Sequence, residues 1–433
     1  MIIPSIDLMD GRAVQLEQGK TKVIDAGDPR PIARLFGRVG EIAVIDLDAA
    51  MGRGSNADII RELLALARCR VGGGIRDVQA ARAWLDAGAS KVILGTRAVP
   101  EVLEQLPRER LIAAVDARDG RVVVEGWTKP TPDALLDRVR VLAPYVGGFL
   151  VTFVETEGML CGLGADRARP VIEAAGGARV TVAGGVRTAD EIGQIDRAGA
   201  DAQVGMAIYK GLFSVADAVS ACLNTDRPDG LWPTVVVDES GRALGLCYSN
   251  VQSLNTAVQE GRGVYWSRRR GLWRKGETSG ATQELLRVDL DCDRDALLFT
   301  IRQHGPGFCH RGTNTCWGNS FGLARLAATL EARRAAAPDG SYTARLLSDP
   351  ALLASKIVEE ARELAGATET AQVIHEAADV VYFTLARLVS AGASLADVER
   401  ELDRRSLRVT RRPGDAKPGI GTGGEPARPE GRP

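Results

Sequence analysis

The stretch "VGGGIR" at residues 71–76 returns as "VAGGVR" at residues 182–187, about 110 residues later. Two more stretches repeat at nearly the same interval, "IDLMDGR" (6–12) as "VDARDGR" (115–121) and "LGTRAV" (94–99) as "VGMAIY" (204–209). Repetition at a fixed interval indicates a duplicated structural unit. The first half of the chain is therefore predicted to contain two copies of one architecture.

Short runs of β-forming residues alternate with amphipathic stretches eight times in residues 1–225. The strand runs begin with "MIIPSID" and end with "DAQVGMA", and stretches such as "NADIIRELLALA" (56–67) and "TPDALLDRVRVLA" (131–143) have helical periodicity. Eight β/α units of this total length are typical of a (β/α)8 TIM barrel. In that fold, functional groups collect at the C-terminal ends of the strands.

Glycines follow the predicted strands in two matching sets. Glycine lets backbone N–H groups approach a phosphate at the start of a helix, so two sets predict two phosphate-binding sites. The first set is Gly73, Gly74 and Gly95, and the second is Gly184, Gly185 and Gly205. Asp7 and Asp116 end the first and fifth predicted strands, on opposite sides of the barrel mouth. A symmetric carboxylate pair between two phosphate sites favours general acid and base catalysis.

The composition limits the class of partner. The 433 residues include 55 Lys and Arg against 56 Asp and Glu, so no overall positive field attracts nucleic acid or an anionic membrane. No apolar run has the length of a membrane span, and the start "MIIPSIDLMDGR" is unlike a signal peptide. We expect a cytoplasmic, multidomain enzyme that acts on small substrates.

The sequence of residues 226–320 predicts a small, β-rich α+β domain that binds metal. "DLDCDRDALL" (289–298) places an aspartate at every second position, which on a regular strand puts all four on one face and Cys292 on the other. "GFCHRGTNTCW" (307–317) adds Cys309, His310 and Cys316. Carboxylates suit Mg²⁺ and thiolates suit Zn²⁺, so two metals are expected. Three cysteines leave a fourth zinc position open, as in catalytic sites.

Residues 321–410 predict an all-α domain. Glu360 and Glu363 are three apart on one predicted helix, and Glu376 and Asp379 are three apart on the next, so each pair shares a face. The second pair lies within the otherwise apolar "VIHEAADVVYF". Four carboxylates facing inward from two helices can hold Mg²⁺ against a polyphosphate. The proline- and glycine-rich residues 411–433 are expected to be disordered.

The barrel segments resemble a known family. "PSIDLMDGRAVQLEQG", "VIDLDAAMG", "VGGGIR", "VDARDGRVVVEGW" and "VAGGVRT" are similar to ProFAR isomerase of histidine biosynthesis. The resemblance implies aldose–ketose isomerisation of a substrate with two phosphates. It makes Asp7 the base at the sugar carbon and Asp116 the acid that opens the ring, with Thr152 assisting. Ala43 and Glu157 depart from the pattern of the family. A related phosphoribosylanthranilate isomerase uses similar chemistry, so a second or altered substrate stays open.

The second domain resembles phosphoribosyl-AMP cyclohydrolase. The similarity lies in "YWSRRRGLWRKGETSG", "DCDRDALL" and "GFCHRGTNTCW". It implies zinc-dependent hydrolytic opening of an adenine ring, with His310 moving a proton, in a homodimer whose subunits share the zinc site. Ala281 replaces a polar residue that is common in the family. The implied Zn²⁺ ligands are Cys292, Cys309 and Cys316, and the implied Mg²⁺ ligands are Asp291, Asp293 and Asp295.

The third domain resembles phosphoribosyl-ATP pyrophosphohydrolase in "EEARE", "EAAD" and "PDGSYTARLL". The resemblance implies Mg²⁺ held by the four helical carboxylates, with Lys356 and Arg345 near the phosphates. The three implied reactions are consecutive, as steps two to four of histidine biosynthesis on phosphoribosyl nucleotides. The "TDRPDGL" linker is similar to those of the fungal multifunctional histidine protein. The alternative is a bifunctional hydrolase whose barrel is a non-catalytic scaffold.

Overall fold

A computed structural model of the protein describes residues 1–124, 126–318 and 322–410. The N-terminal part contains twelve strands and ten α-helices among these residues. The strands are β1 (Ile2–Met9), β2 (Arg12–Glu17), β3 (Thr21–Gly27), β4 (Ile42–Asp46), β5 (Cys69–Gly72), β6 (Lys91–Leu94), β7 (Leu111–Arg118), β8 (Arg121–Val124), β9 (Lys129–Ala134), β10 (Gly148–Phe153), β11 (Arg179–Ala183) and β12 (Asp201–Val204). The helices are α1 (Pro29–Gly37), α2 (Leu47–Met51), α3 (Ala57–Leu66), α4 (Val78–Ala87), α5 (Pro100–Leu103), α6 (Leu135–Leu142), α7 (Ala165–Ala174), α8 (Ala189–Arg197), α9 (Met206–Tyr209) and α10 (Val215–Cys222).

Eight of these strands form a closed parallel ring, which confirms the predicted TIM barrel. The order around the ring is β1, β4, β5, β6, β7, β10, β11 and β12, and β12 pairs in parallel with β1 to close it. Every residue of β10 is buried, as expected for a parallel strand covered on both faces.

The duplication extends to two hairpins, β2–β3 after β1 and β8–β9 after β7. The turns into β2 and β8 are Asp10–Gly11 (φ 51° and 75°) and Asp119–Gly120 (φ 49° and 75°). Such left-handed pairs favour Asp-Gly in tight hairpins. The predicted helix "TPDALLDRVRVLA" begins only at Leu135, because the residues before it pair with β8 as β9.

The second unit contains a four-stranded sheet, a two-stranded hairpin and one helix. Its elements are β13 (Trp232–Val237), β14 (Ala243–Ser249), α11 (Val251–Glu260), β15 (Val264–Ser267), β16 (Gly271–Arg274), β17 (Gln283–Leu290) and β18 (Leu297–Gln303). The sheet order is β14, β13, β18, β17, and β13 and β18 are parallel.

The four aspartates do not lie on one regular strand, so the expected strand conformation of this stretch is wrong. β17 ends at Leu290, and residues 291–296 turn back into β18. The carboxylate of Asp291 accepts hydrogen bonds from the backbone N–H groups of Asp295 (3.0 Å) and Ala296 (3.1 Å). Side chains of this type compete with a strand ladder by satisfying the local backbone, and here they stabilise the turn. Asp289 stays on β17 in an ion pair with Arg287.

The third unit is helical, as predicted. It consists of α12 (Gly322–Ala335), α13 (Tyr342–Ser348), α14 (Pro350–Gly366), α15 (Thr370–Ser390) and α16 (Leu395–Ser406). A small cluster around Leu346, Leu353 and Phe383 forms its core. No single helix among the described residues is long and apolar enough to cross a membrane, and α15 with α16 meets that test only as a pair bent by 103°. The predicted disordered tail, 411–433, lies outside the described residues.

Contacts join the three units. One hydrophobic cluster runs through the barrel and the second unit, and the Ser214 hydroxyl donates to Asn255 Oδ1 at 2.6 Å between α10 and α11. The third unit contacts the barrel where the backbone N–H groups of Val409 and Thr410 donate to Asp86 at 2.8 and 2.9 Å.

Candidate functional site

The two glycine pairs adopt matching conformations after β5 and β11. Gly73 and Gly184 have φ values of 91° and 106°, in the left-handed region that favours glycine. A Cβ atom on Gly73 would overlap the backbone of Asp46, and one on Gly184 would overlap the backbone of Phe153. Both turns therefore exclude any side chain, for the same steric reason in each half.

The second glycine set lines a small, open pocket at the C-terminal ends of β11 and β12. Gly184, Gly185 and Gly205 all contribute to its wall, and Glu157 borders it. Gly205 also lies against the amide of Gln15, which leaves no room for a Cβ atom there. The first set, with Gly95 after β6, occupies the corresponding positions in the other half of the barrel.

Asp7 and Asp116 lie on β1 and β7, as predicted. Burial raises the pKa of Asp7 to about 6, although the Ser5 hydroxyl donates to its carboxyl at 3.1 Å and opposes the shift. Burial also raises the pKa of Asp116, opposed by hydrogen bonds from the side chains of Thr152 and Trp127. Asp7 can therefore hold or release a proton close to neutral pH, and burial shifts the pKa of Asp116 in the same direction.

Glu157 joins these two carboxyls. Burial, and then the negative charges of Asp7 and Asp116, raise the pKa of Glu157 to about 7. The sequence alone shows Glu157 only as a departure from a family pattern. It does not predict that Glu157 lies beside the two aspartates. Its position shortly after β10, the strand that carries Thr152, is the signal that could have found it.

Trp127 is a second residue of the site that the sequence alone did not predict. It follows β8 in the second hairpin, has a φ of 69°, and its ring lies so close to Gly19 that a Cβ atom there would approach it at 2.7 Å. The side chain of Trp127 therefore connects the turn of the β2–β3 hairpin to Asp116 in the barrel mouth. The mirrored positions of the two hairpins could have indicated this contact.

In the second unit, Cys309 and Cys316 lie together in the loop after β18. Hydrogen bonds from the Arg311 backbone and the Thr313 side chain lower the pKa of Cys309, and Cys316 contributes a smaller effect in the same direction. Burial and then Cys309 raise the pKa of Cys316. Nδ1 of His310 lies 3.9 Å from Cys309 Sγ. Cys292 is exposed, and within the described part of one chain the three cysteines form no common cluster.

The thiol pair is packed against β14 and lies near the ammonium group of Lys275. A Cβ atom on Gly245 would overlap the Phe308 ring and approach Cys316 Sγ at 3.0 Å, so glycine lets the ring and the thiol pack against β14. The backbone N–H of Cys316 donates to Leu244 O at 2.8 Å and fixes the loop against β14. Lys275, 8% exposed, faces this group with its ammonium 5.3 Å from the centre of the Phe308 ring.

Asp291, Asp293 and Asp295 are brought together by the turn rather than by a strand. Their carboxylate oxygens lie within 4.8 Å of one another, on a partly exposed surface. The hydrogen bond to Asp291 and then the charge of Asp293 raise the pKa of Asp295, whereas at Asp291 burial is outweighed by hydrogen bonds, which lower its pKa. A divalent cation would offset the repulsion between the three carboxylates, and carboxylate oxygens are the ligands that Mg²⁺ prefers.

In the helical unit, three of the four predicted ligands come together. Oxygens of Glu360, Glu363 and Glu376 lie within 4.8 Å of one another, and Glu360 and Glu376 are buried. Asp379 is not part of this group, because its carboxylate lies 3.6 Å from Nε2 of His375 on the outer side of α15. Burial, and then the charges of Glu376 and Glu360, raise the pKa of Glu363.

The two predicted phosphate ligands of this unit differ in their surroundings. Nζ of Lys356 lies 2.6 Å from Glu360 and 2.9 Å from Glu359, so it is a counter-ion of the carboxylate group. Arg345 is exposed on α13.

Comparison with family models divides the chain into three matches. The model described as histidine biosynthesis protein matches residues 1–214, that of phosphoribosyl-AMP cyclohydrolase matches residues 245–318, and that of phosphoribosyl-ATP pyrophosphohydrolase matches residues 323–406. The exact domain limits at 225/226 and 320/321 stay predictions.

Individual relatives match parts of the chain. A histidine biosynthesis trifunctional protein of Neurospora crassa is 53% identical over 207 residues, 48% of this chain and 24% of its own length. A histidine biosynthesis bifunctional protein of Schizosaccharomyces pombe is 53% identical over 205 residues, 47% of this chain and 49% of its own length. The chain thus spans about a quarter to a half of these relatives.

A third relative matches over nearly its whole length. It is the 1-(5-phosphoribosyl)-5-((5-phosphoribosylamino)methylideneamino) imidazole-4-carboxamide isomerase of Methanosphaerula palustris, 37% identical over 233 residues, which are 51% of this chain and 98% of the relative.

Proposed function

The chain belongs to the histidine biosynthesis protein family, and from that premise we propose that it carries three consecutive activities of this pathway. The helical unit releases pyrophosphate from phosphoribosyl-ATP, the second unit opens the adenine ring of phosphoribosyl-AMP, and the barrel isomerises the product, ProFAR. The order of the three family matches along the chain supports the combination.

In the helical unit, the carboxylates of Glu360, Glu363 and Glu376 would hold Mg²⁺ against the polyphosphate of the substrate. Two of the three are buried and all three converge, so they repel one another unless a cation is bound. Lys356 neutralises part of that charge through Glu360. Asp379 would complete the ligand set by rotating away from His375.

In the second unit, Cys309 and Cys316 of one subunit and Cys292 of another would hold Zn²⁺. When bound, the zinc ion activates water for addition to the adenine ring. His310, beside Cys309, would take up a proton and return it to the ring nitrogen whose bond to carbon breaks. The aspartates of the 291–296 turn would hold Mg²⁺ near the substrate.

A homodimer through the second unit is part of this proposal. Val235 and Leu246 face each other across β13 and β14 and are 37% and 52% exposed. Leu298 on β18 is the register partner of Val235 on its other side, so an apolar stripe crosses the sheet. A second copy on this stripe would bury it and bring a third thiol to the pair.

In the barrel, the two glycine turns would bind the two phosphates of ProFAR and place its sugar between the carboxyls. Asp116 would donate a proton to the ring oxygen, so that the ring carbon–oxygen bond breaks and an imine forms. Asp7 would then remove the proton from the adjacent carbon, giving an enolamine that becomes the aminoketose. Glu157 adds a third carboxyl whose pKa is raised by burial and by the charges of Asp7 and Asp116, so ionisation of Asp7 favours the protonated form of Glu157.

The observation that carries the third activity is the convergence of three carboxyls between two sterically matched glycine turns. The test is turnover of each of the three substrates by the full-length protein and its Asp7→Asn variant. We expect isomerisation to fall by about a thousandfold, with both hydrolytic activities unchanged. Asp137→Asn, on the exposed surface of α6, is the matched control. Phosphoribosylanthranilate, assayed in parallel, tests the second substrate.

The scaffold alternative also has an observation in its favour, because the barrel contacts the aspartate turn of the second unit through Arg294 and Asp196. Absence of isomerisation in the folded full-length protein, with both hydrolytic activities present, would establish a two-step enzyme on a scaffold.

A further inference from the structure

The turn of residues 291–296, here called the aspartate loop, is anchored to the barrel by one arginine. Nε of Arg294 donates to Asp196 Oδ2 at 2.9 Å, and a terminal nitrogen of its guanidinium donates to Oδ1 at 3.1 Å. The other terminal nitrogen donates to Asp291 O at 3.0 Å, inside the loop. A planar guanidinium that binds both oxygens of a carboxylate fixes orientation as well as distance.

Asp196 is a rigid partner for this contact. It lies near the end of α8, its side chain is 4% exposed, and the amino group of Met1 donates to its Oδ1 at 2.5 Å. The nearby Asp201 begins β12 and also binds the Met1 amine, so this is the N-terminal face of the barrel. The carboxyls of the isomerase site lie at the opposite ends of the strands.

The linker between the barrel and the second unit adds two more bonds. The backbone N–H of Asn224 donates to Arg294 O at 2.8 Å, and its side-chain amide donates to Asp293 O at 3.0 Å. Arg294 itself has a φ of 67°. A residue other than glycine keeps such a conformation only where its surroundings hold it, and here Asp196 and Asn224 supply those surroundings.

We propose that Asp196 and Arg294 are positioning residues for the divalent cation of the cyclohydrolase unit, so that the barrel organises a metal site outside itself. The inference rests on the proposed assignment of Mg²⁺ to Asp291, Asp293 and Asp295. With the backbone of the loop held by the barrel, the three carboxylates converge before the cation arrives. Without the contact between Arg294 and Asp196, repulsion between the three carboxylates would separate them. The cation would then have to order the loop on binding, which would lower its affinity for the site.

The test uses Mn²⁺ as the probe, followed by electron paramagnetic resonance on the full-length protein. A Glu360→Gln/Glu363→Gln background removes two of the three converging helical carboxylates, so that Mn²⁺ binding reports chiefly the aspartate loop. In that background, we expect Asp196→Asn to weaken Mn²⁺ binding by about tenfold. The Mg²⁺ concentration for half-maximal ring opening should rise in parallel, with kcat restored at saturating Mg²⁺.

Two further variants separate positioning from general damage. Arg294→Lys keeps the charge but loses the two-point contact, and it should weaken Mn²⁺ binding in the same direction. Arg287→Ala breaks the exposed ion pair with Asp289 in the same hairpin and should leave Mn²⁺ binding unchanged. Zinc content should be equal in all variants.

The outcomes distinguish the inference from the proposed function. Equal Mn²⁺ affinity in the Glu360→Gln/Glu363→Gln protein with and without Asp196→Asn or Arg294→Lys would overturn the positioning role. The metal site itself would stay in place. Asp291→Asn, made in the same background, should abolish Mn²⁺ binding at the loop. Mn²⁺ binding that this variant leaves unchanged would overturn the metal assignment and the positioning role together.

Discussion

Thr152 and Asp116 are register partners on the neighbouring strands β10 and β7, and the Thr152 side chain hydrogen-bonds to the Asp116 carboxyl. A hydrogen bond of this kind stabilises the ionised form and opposes the effect of burial on the pKa of Asp116. Strand pairing therefore places a group that moderates the burial-raised pKa of Asp116, the residue that we propose as the acid of the isomerase.

Replacing Thr152 by valine should alter isomerisation in a defined direction. Loss of the hydroxyl raises the pKa of Asp116 further, so the alkaline limb of the kcat/KM profile should move to higher pH, with kcat lower by about tenfold. Thr152→Ser keeps the hydroxyl and should retain the wild-type profile. Identical profiles for the valine and serine variants would contradict the assigned hydrogen bond.

The stability of the barrel should depend on the ionisation of Asp7. Its pKa is about 6 in the folded protein and 3.8 ordinarily, so the folded state favours the protonated form. The stabilising contribution is complete below pH 3.8 and is lost as the pH rises through 6. At pH 7.5, Asp7→Asn should therefore increase the free energy of unfolding of the barrel by about 3 kcal/mol, and the gain should disappear below pH 3.8.

This prediction can be measured by hydrogen exchange of peptides from the barrel strands at increasing urea concentration. Asp137→Asn provides the control, since Asp137 is 72% exposed. A gain from Asp7→Asn that is equal at both pH values would show that ionisation is not its cause.

The shared zinc site predicts complementation between two inactive variants. Cys292→Ser and Cys309→Ser should each abolish ring opening and lower bound zinc. A mixed dimer has one complete site, so random reassociation of equal amounts should restore about a quarter of the wild-type activity. Cys247→Ser, another buried thiol of this unit, should retain activity and zinc. Failure of the mixture to recover, with mixed dimers demonstrated, would place all three ligands in one subunit.

The helical carboxylates predict a graded series. Glu360→Gln should abolish pyrophosphate release because it removes a buried member of the converging group. Asp379→Asn should have a smaller effect, because Asp379 lies outside that group in this conformation. Glu359→Gln is the matched control, as Glu359 contacts the same Lys356 but is exposed. The measurement is the rate of pyrophosphate release by each variant, with the other two activities assayed in parallel. The series would be contradicted if Asp379→Asn reduced that rate more than Glu360→Gln.

The duplication in the sequence was sufficient to predict the barrel and its glycine turns. Strand periodicity, the repeated Asp-Gly turns and the glycine pairs are local features, and each specifies its own backbone conformation wherever it occurs. The helical pairs were predictable for the same reason, since residues three apart must share a face. The aspartates do not continue the strand because their side chains can hydrogen-bond to the local backbone. The alternation of aspartates with other residues does not reveal this competition.

The sequence by itself therefore determined the elements, the duplicated barrel and the residue types available for each reaction. Only the tertiary structure decided which distant residues meet: Glu157 with Asp7 and Asp116, Trp127 with Gly19, and Arg294 with Asp196. Among the described residues, it also separated Cys292 from the other two cysteines and Asp379 from the three glutamates. The physical reason is that short-range periodicity encodes the faces of single elements, whereas contacts between elements depend on how all of those faces pack at once.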